Sequence, residues 1–191
     1  MSNVSDQRKV FVDLEYIFPE MGWKYGQPKG HEKFEIIQIA AIVFDLDQRH
    51  EIAHVDLLCH PESGTKLPEF FTELTAITQQ DIDVQALKLE TAVDQFVNFC
   101  EKYEVMTYNN DYNVFLKNVS YISDNKFPLK PFTRVKPIIE NYGISTENVS
   151  SGELYKLFNI DLGGHIHNAL HDVRSMAHSL AYLEKRSRSI V

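Results

Sequence analysis

Cysteine is scarce in this chain: there are two, Cys59 and Cys100, far apart and without the paired spacing of a zinc site. That excludes a disulfide-stapled scaffold and leads us to expect a reduced, cytoplasmic protein with at most one disulfide. Long apolar runs are lacking too, so neither a membrane span nor a secretory signal is expected. Internal repeats and low-complexity segments are absent, which excludes solenoids and arrays. Positive charge is in deficit, with 19 Lys and Arg against 27 Asp and Glu and a net charge of -8. A protein that coats nucleic acid draws its affinity from excess Lys and Arg, so that class is excluded. An enzyme that grips nucleic acid through bound cations is not excluded, because the cations bring the positive charge with them.

What remains is an ordinary globular composition. The 191 residues, 43% of them hydrophobic, suffice for one domain with a substantial core. We expect a single domain over 1–191, with its core over about 9–185 between a polar N-terminal tail and a basic tail at Lys185-Arg186-Ser187-Arg188.

Val10-Phe11-Val12 is a short apolar, β-branched and aromatic segment that reads as a buried strand. Ile17 to Lys33, rich in Gly, Pro and Lys, reads as a long exposed loop. In it Lys24, Lys29 and Lys33 serve either phosphate contacts or solvation alone. Glu35–Asp45 and Ile52–Leu58 read as strands around an Asp47-Gln48-Arg49-His50 turn, so the first three strands are expected to be antiparallel neighbours.

Helical spacing follows at Val93, Phe96, Val97 and Cys100, predicting a helix over about 90–103. Glu104–Tyr108 reads as a strand and Asp111–Ile122 as a helix. Ser150-Ser151-Gly152-Glu153 resembles a capping box, and a last helix is predicted over about 168–185. Three strands followed by alternating strands and helices imply an α/β fold, a mixed sheet with helices packed on it.

The chemistry concentrates at three places. Asp13 and Glu15 stand two apart at the end of the first strand, so their carboxylates share a face. Either they are a solvated strand end, or a divalent cation neutralises them, since two acids on a buried strand repel and are costly to desolvate. Asp111 ends a short strand and opens a helix, where it is either an N-cap or a ligand. His165, His167, His171 and Asp172 crowd the start of the last helix. With Asn168 near the N-cap, Asp172 lies about one turn in and can share a pocket with His167. His171 precedes Asp172 directly and should point away from it. His165 lacks the Cys and His partners of a zinc site, and an oxygen-rich set suits Mg²⁺ or Mn²⁺ better.

Asp13, Glu15, Asp111, His167 and Asp172, in this order, resemble the DnaQ-like 3′-to-5′ exonucleases with four acids and a histidine base, often called DEDDh. The matching segments are Val12-Asp13-Leu14-Glu15, Asn109-Asn110-Asp111 and His167-x-x-x-x-Asp172. Leu74-Thr75-Ala76-Ile77-Thr78-Gln79 and Glu35–Ile42 are similar to the enhanced-RNA-interference and histone-mRNA-trimming exoribonucleases.

The resemblance implies a ribonuclease H-like mixed five-stranded sheet and two Mg²⁺ or Mn²⁺ held by Asp13, Glu15, Asp111 and Asp172, with His167 as the base. It implies a single-stranded 3′ end as substrate, RNA more than DNA, and nucleoside 5′-monophosphates as products. A proofreading-type DNA exonuclease and a two-metal phosphodiesterase acting on mono- or oligonucleotides are the alternatives. The family's neighbourhood for the terminal nucleotide falls at Leu14 and Tyr16, and Tyr112 is a second candidate for stacking on a base. Core packing is the competing role for both tyrosines. Gln38 and Ala40 depart from the family's acid and glycine, with only packing consequences expected. Specificity for structured RNA would need a protein partner or the Ile17–Lys33 loop.

Overall fold

The computed structural model describes residues 7–17, 34–122 and 130–188. Most of the Ile17–Lys33 segment, Lys24, Lys29 and Lys33 included, therefore lies outside the described residues, whereas Ile17 itself is buried at the end of the first strand.

The elements in chain order are β1 (Arg8–Ile17), β2 (Glu35–Asp45), β3 (His50–Leu58), α1 (Glu69–Thr75), α2 (Gln79–Gln85), α3 (Leu89–Cys100), β4 (Glu104–Thr107), α4 (Asp111–Ile122), β5 (Thr133–Arg134), α5 (Val135–Asn141), a 3₁₀ helix (Ser151–Phe158) and α6 (Ala169–Arg188). The five strands lie in the order β3-β2-β1-β4-β5. β1 runs antiparallel to β2, and β2 to β3, while β4 and β5 add on as parallel strands. The expected mixed five-stranded α/β sheet, its first three strands antiparallel, is the observed one.

β1 and β2 form the centre because their apolar runs can be buried on both faces. On one face Val10, Val12, Ile39, Ala41 and Val43 pack against Val93 and Phe96 of α3 and Phe115 and Val119 of α4. On the other, Phe11, Ile42, Phe44 and Met106 meet Val173, Met176, Ala177 and Leu180 of α6. Each fully buried Phe or Ile there contributes about 1.5–3 kcal/mol of transfer free energy. Strand alternation puts Asp13 and Glu15 on the α6 face, in line with Phe11. The acids therefore end up under the N-terminus of α6.

One local expectation changes. The Ser150 segment opens a 3₁₀ helix, and Ser150 makes no side-chain cap bond to the backbone. Its hydroxyl instead donates to the Glu153 carboxylate at 3.1 Å. A true capping box stands elsewhere, between Thr78 and Asp81 at the start of α2. The Leu74–Gln79 segment is a helix–helix corner: Thr75 Oγ1 donates to Phe71 O, Ala76 is left-handed, and Gln79 Oε1 accepts from the Leu67 N–H. Its residue pattern thus has a local structural cause.

Candidate active site

β1 delivers Asp13 and Glu15 side by side, and a bulge between Glu15 and Tyr16 interrupts the register with β2 immediately afterwards. Bulges re-aim side chains, and Tyr16 lines the cavity that the acids open into. β4 ends at Thr107, and α4 starts at Asp111. Asn110 fills the cap position there, its carbonyl accepting from the Asn113 N–H at 2.9 Å. Asp111 is therefore not the cap; it accepts the Thr107 hydroxyl and faces the same cavity. Asn168 caps α6, with Oδ1 accepting from the Leu170 N–H at 3.2 Å, and Asp172 follows within the first turn.

Asp13, Leu14, Glu15, Tyr16, Tyr108, Asn109, Asn110, Asp111, Ser151, His167 and Asp172 together line one cavity of about 270 Å³. One carboxylate oxygen from each of Asp13, Glu15 and Asp172 lies within 4.8 Å of the others. All five residues expected from the sequence to form the chemistry meet here, as do Leu14 and Tyr16.

Tyr112 does not line the cavity. One residue beyond Asp111 the helix has turned by about 100°, and the Tyr112 ring packs edge-on against Phe132 at 4.9 Å. Its expected substrate contact is replaced by packing. Tyr108, Asn109, Asn110 and Ser151 are lining residues that patterning did not single out. The strand-to-helix turn before Asp111 was the available signal for the two asparagines.

Asp172 is held from two sides. Ser151 Oγ donates to its Oδ2 at 2.9 Å, and the His167 backbone N–H donates to its Oδ1 at 3.2 Å. A Cβ on Gly152 would lie 2.2 Å from Asp172 Oδ1, so only glycine lets the 3₁₀ helix approach this carboxylate. His171 points away from the acids, as expected. It is buried, with Nδ1 3.1 Å from Gly163 O and Nε2 3.1 Å from Gly152 O. The ring thereby ties the loop before His167 to the 3₁₀ helix, and Gly164, at φ +126°, leaves room for it. His165 is exposed, and no group of His, Cys and acids capable of holding a metal forms around it among the described residues.

The electrostatics are one-sided. Burial, then Asp111, Asp172 and Glu15 in that order, push the Asp13 carboxyl well above its ordinary range. Burial raises Glu15 likewise, with Asp172 and Asp111 adding to it. Asp111 is raised by burial against the opposing Thr107 hydrogen bond, and Asp172 by burial against Ser151 and the neighbouring histidines. Burial also lifts the Tyr16 phenol, and Asp111 adds to it. Among the described residues, no Lys or Arg lines the cavity. Four acids that no Lys or Arg among the described residues faces in this cleft fit a divalent cation in donor type, convergence and charge.

The sequence profile of the RNase_T exonuclease family matches residues 10–180, and the chain belongs to that exonuclease family. No curated protein sequence matches it. Among solved structures it is similar to a full-length 3′-exonuclease, with 20% identity and a TM-score of 0.77 over 97% of this chain and 64% of that one. The chain thus spans less than two thirds of that protein. It is also similar to the nuclease domain of 3′hExo, a DEDDh family member bound to rAMP, at 17% identity and TM-score 0.75, covering 97% of this chain and 95% of that one. A third similar structure is a 3′-exonuclease that recognises the histone mRNA stem-loop, at 18% identity and TM-score 0.77, covering 94% and 82%. These likenesses establish a shared DnaQ-like exonuclease fold.

Proposed function

We propose that the protein is a metal-dependent 3′-to-5′ exonuclease that releases nucleoside 5′-monophosphates from single-stranded 3′ ends, RNA in preference to DNA. The observation that carries this is the convergence of Asp13, Glu15, Asp111, Asp172 and His167 on one cavity. Two Mg²⁺ or Mn²⁺ ions fit the charge of the four carboxylates, which would hold them. Bound there, such ions supply a water of lowered pKa and neutralise charge developing on the scissile phosphate.

The side chains account for the rest. His167 takes a proton from the attacking water, whose oxygen bonds to the terminal phosphorus as the bond to the 3′ oxygen breaks. Its backbone, at φ +68° and bonded to Asp172, holds the imidazole at the cavity edge. In this reading Leu14 and Tyr16 bound the terminal nucleotide, which is supported by their lining of the cavity and by Phe34 backing the Tyr16 ring at 5.9 Å. The preference for RNA is supported by the similar fold that holds rAMP. The buried, unpaired thiols of Cys59 and Cys100 suit the reducing cytoplasm. Among the described residues, no helix is long and apolar enough to cross a membrane.

The test is a panel of end-labelled single-stranded RNA, single-stranded DNA, stem-loop RNA and a mononucleotide ester, each with Mg²⁺ and with chelator. The expected result is chelator-sensitive stepwise shortening from the 3′ end, fastest on single-stranded RNA. Faster DNA shortening would favour the proofreading-type alternative. Turnover confined to the ester would favour the phosphodiesterase.

A further inference from the structure

We propose that Gln38 is a positioning residue for this site, fixing the first turn of α6 through a donor–acceptor polarity that an amide supplies and a carboxylate does not. The inference rests on the exonuclease reading above. Gln38 stands directly opposite Glu15 in the β1–β2 ladder and is almost fully buried, with 1% of its surface exposed. Its Oε1 accepts from the Ala169 N–H at 3.1 Å, and its Nε2 donates to Asp56 Oδ1 on β3 at 2.7 Å.

The Ala169 amide belongs to the first turn of α6, where no helical carbonyl reaches the N–H groups. Asn168 caps the next amide, that of Leu170. Two side chains therefore hold successive amides, one from within the loop and one from the sheet. Asp172 lies three residues after Ala169, about 4.5 Å along the helix axis, and Asp172 in turn holds the His167 backbone. The acceptor end of Gln38 thus anchors the turn that carries Asp172 and, through Asp172, the backbone of His167, while the donor end anchors Gln38 to β3. Glutamate here could accept from Ala169 equally well. It would, however, face the Asp56 carboxylate with no proton between them and place a further negative charge opposite Glu15.

This polarity gives the test. Gln38→Glu breaks the link to Asp56. Combining Gln38→Glu with Asp56→Asn restores it in reverse, the introduced β3 amide now donating, at wild-type net charge. Gln38→Leu removes both links, and Asp56→Asn alone controls for the influence of Asp56 on Arg174.

Two measurements are made: Mn²⁺-dependent turnover of a single-stranded oligonucleotide, and hydrogen–deuterium exchange over 166–172 in the metal-free protein. Gln38→Leu and Gln38→Glu are expected to lower kcat by roughly 10–100-fold, with KM changed by no more than about twofold, and to speed exchange in that segment. The double variant should recover most of both losses. Unchanged kcat and exchange in folded Gln38→Glu, or a double variant no better than Gln38→Glu, overturns the proposal. Should Gln38→Leu fail to fold, the Gln38→Glu pair still decides. A wild-type protein without Mn²⁺-dependent turnover overturns the exonuclease reading instead, and exchange over 166–172 still reports the bridge.

Discussion

The backbone N–H of His167 donates to Asp172 Oδ1 at 3.2 Å, so the imidazole and the acid five residues later are tied into one unit. The bond holds His167 at φ +68°, a left-handed conformation that a non-glycine residue adopts at a cost of about 1–2 kcal/mol. Asp172 thus has two tasks, facing Asp13 and Glu15 with one part of its carboxylate and pinning the imidazole's backbone with the other.

The two tasks can be separated by substitution. His167→Asn keeps a residue that tolerates the left-handed region and retains the backbone N–H, but it removes the proton acceptor. It is expected to lower kcat by about 10²–10⁴-fold while leaving the Mn²⁺-induced rise in melting temperature intact. Asp172→Asn should abolish both, because an amide carries no negative charge to draw a cation and puts a nitrogen in place of one carboxylate oxygen. Thermal melts with and without Mn²⁺, alongside turnover, check both halves. A His167→Asn variant that no longer responds to Mn²⁺ would show that the histidine is a ligand and not a base.

Gly152 is distant from Asp172 in sequence, yet it sets that carboxylate's position. Gly152→Ala would place a methyl 2.2 Å from Asp172 Oδ1, and the carboxylate must swing away. Activity should fall by roughly 10–100-fold, the range for losing a group that orients a ligand. The Mn²⁺-induced thermal shift should shrink in parallel. Loss of global stability without those changes would mean that the 3₁₀ helix yields and the carboxylate does not.

Much of this was legible in the sequence because the centre of the sheet is buried on both faces. Continuous apolar runs marked β1 and β2, and the Asp111–Ile122 helix showed its inward-facing positions. The five charged and imidazole groups were visible because a buried acid needs a reason. Gln38 showed the same signal, a lone amide in an apolar strand, and a buried amide must find partners. Its partners, Ala169 and Asp56, come from different elements, so no local pattern names them. β5 has two residues, and α5 carries Pro137 in its first turn; neither is long enough to show a period. Tyr112 was misplaced because adjacency to Asp111 in sequence is a large rotation on a helix.

The crowding of acids predicts how the metal-free protein responds to pH. Asp13, Glu15, Asp111 and Asp172 all have carboxyls raised above their ordinary range, chiefly by burial. The folded state therefore binds protons more tightly than the unfolded chain. The contribution of these carboxyls to stability is greatest below the ordinary carboxyl range and declines as pH rises through the raised range. In chelator, the melting temperature should fall as pH climbs above about 4, the ordinary carboxyl value. Asp13→Asn removes one of the mutually repelling charges, so it should flatten that decline and raise the metal-free melting temperature while eliminating turnover. Saturating Mn²⁺ should reverse the wild-type trend, since ionised acids are what a cation binds. A flat metal-free profile would mean that the carboxylates are already compensated from within the chain.

Ser151 provides the opposite lever on the same acid. Its hydroxyl donates to Asp172 Oδ2 at 2.9 Å and favours the ionised form, working against the rise that burial imposes. Ser151→Ala removes that donor and leaves the burial in place, so the Asp172 carboxyl moves further up. A proton then competes more strongly with Mn²⁺ for the carboxylate, and higher pH or more metal is needed to reach the same occupancy. The acid limb of the pH–rate profile should move to higher pH, while the rate at its plateau changes by less than about tenfold. Thr107→Val should shift the limb in the same direction through Asp111, whose carboxylate accepts the Thr107 hydroxyl. Since the two hydroxyls act on different acids, the double substitution should move the limb further than either alone. If raising Mn²⁺ fails to bring the limb back toward lower pH, protons and metal are not competing for these carboxylates, and the assignment of Asp172 and Asp111 as ligands falls.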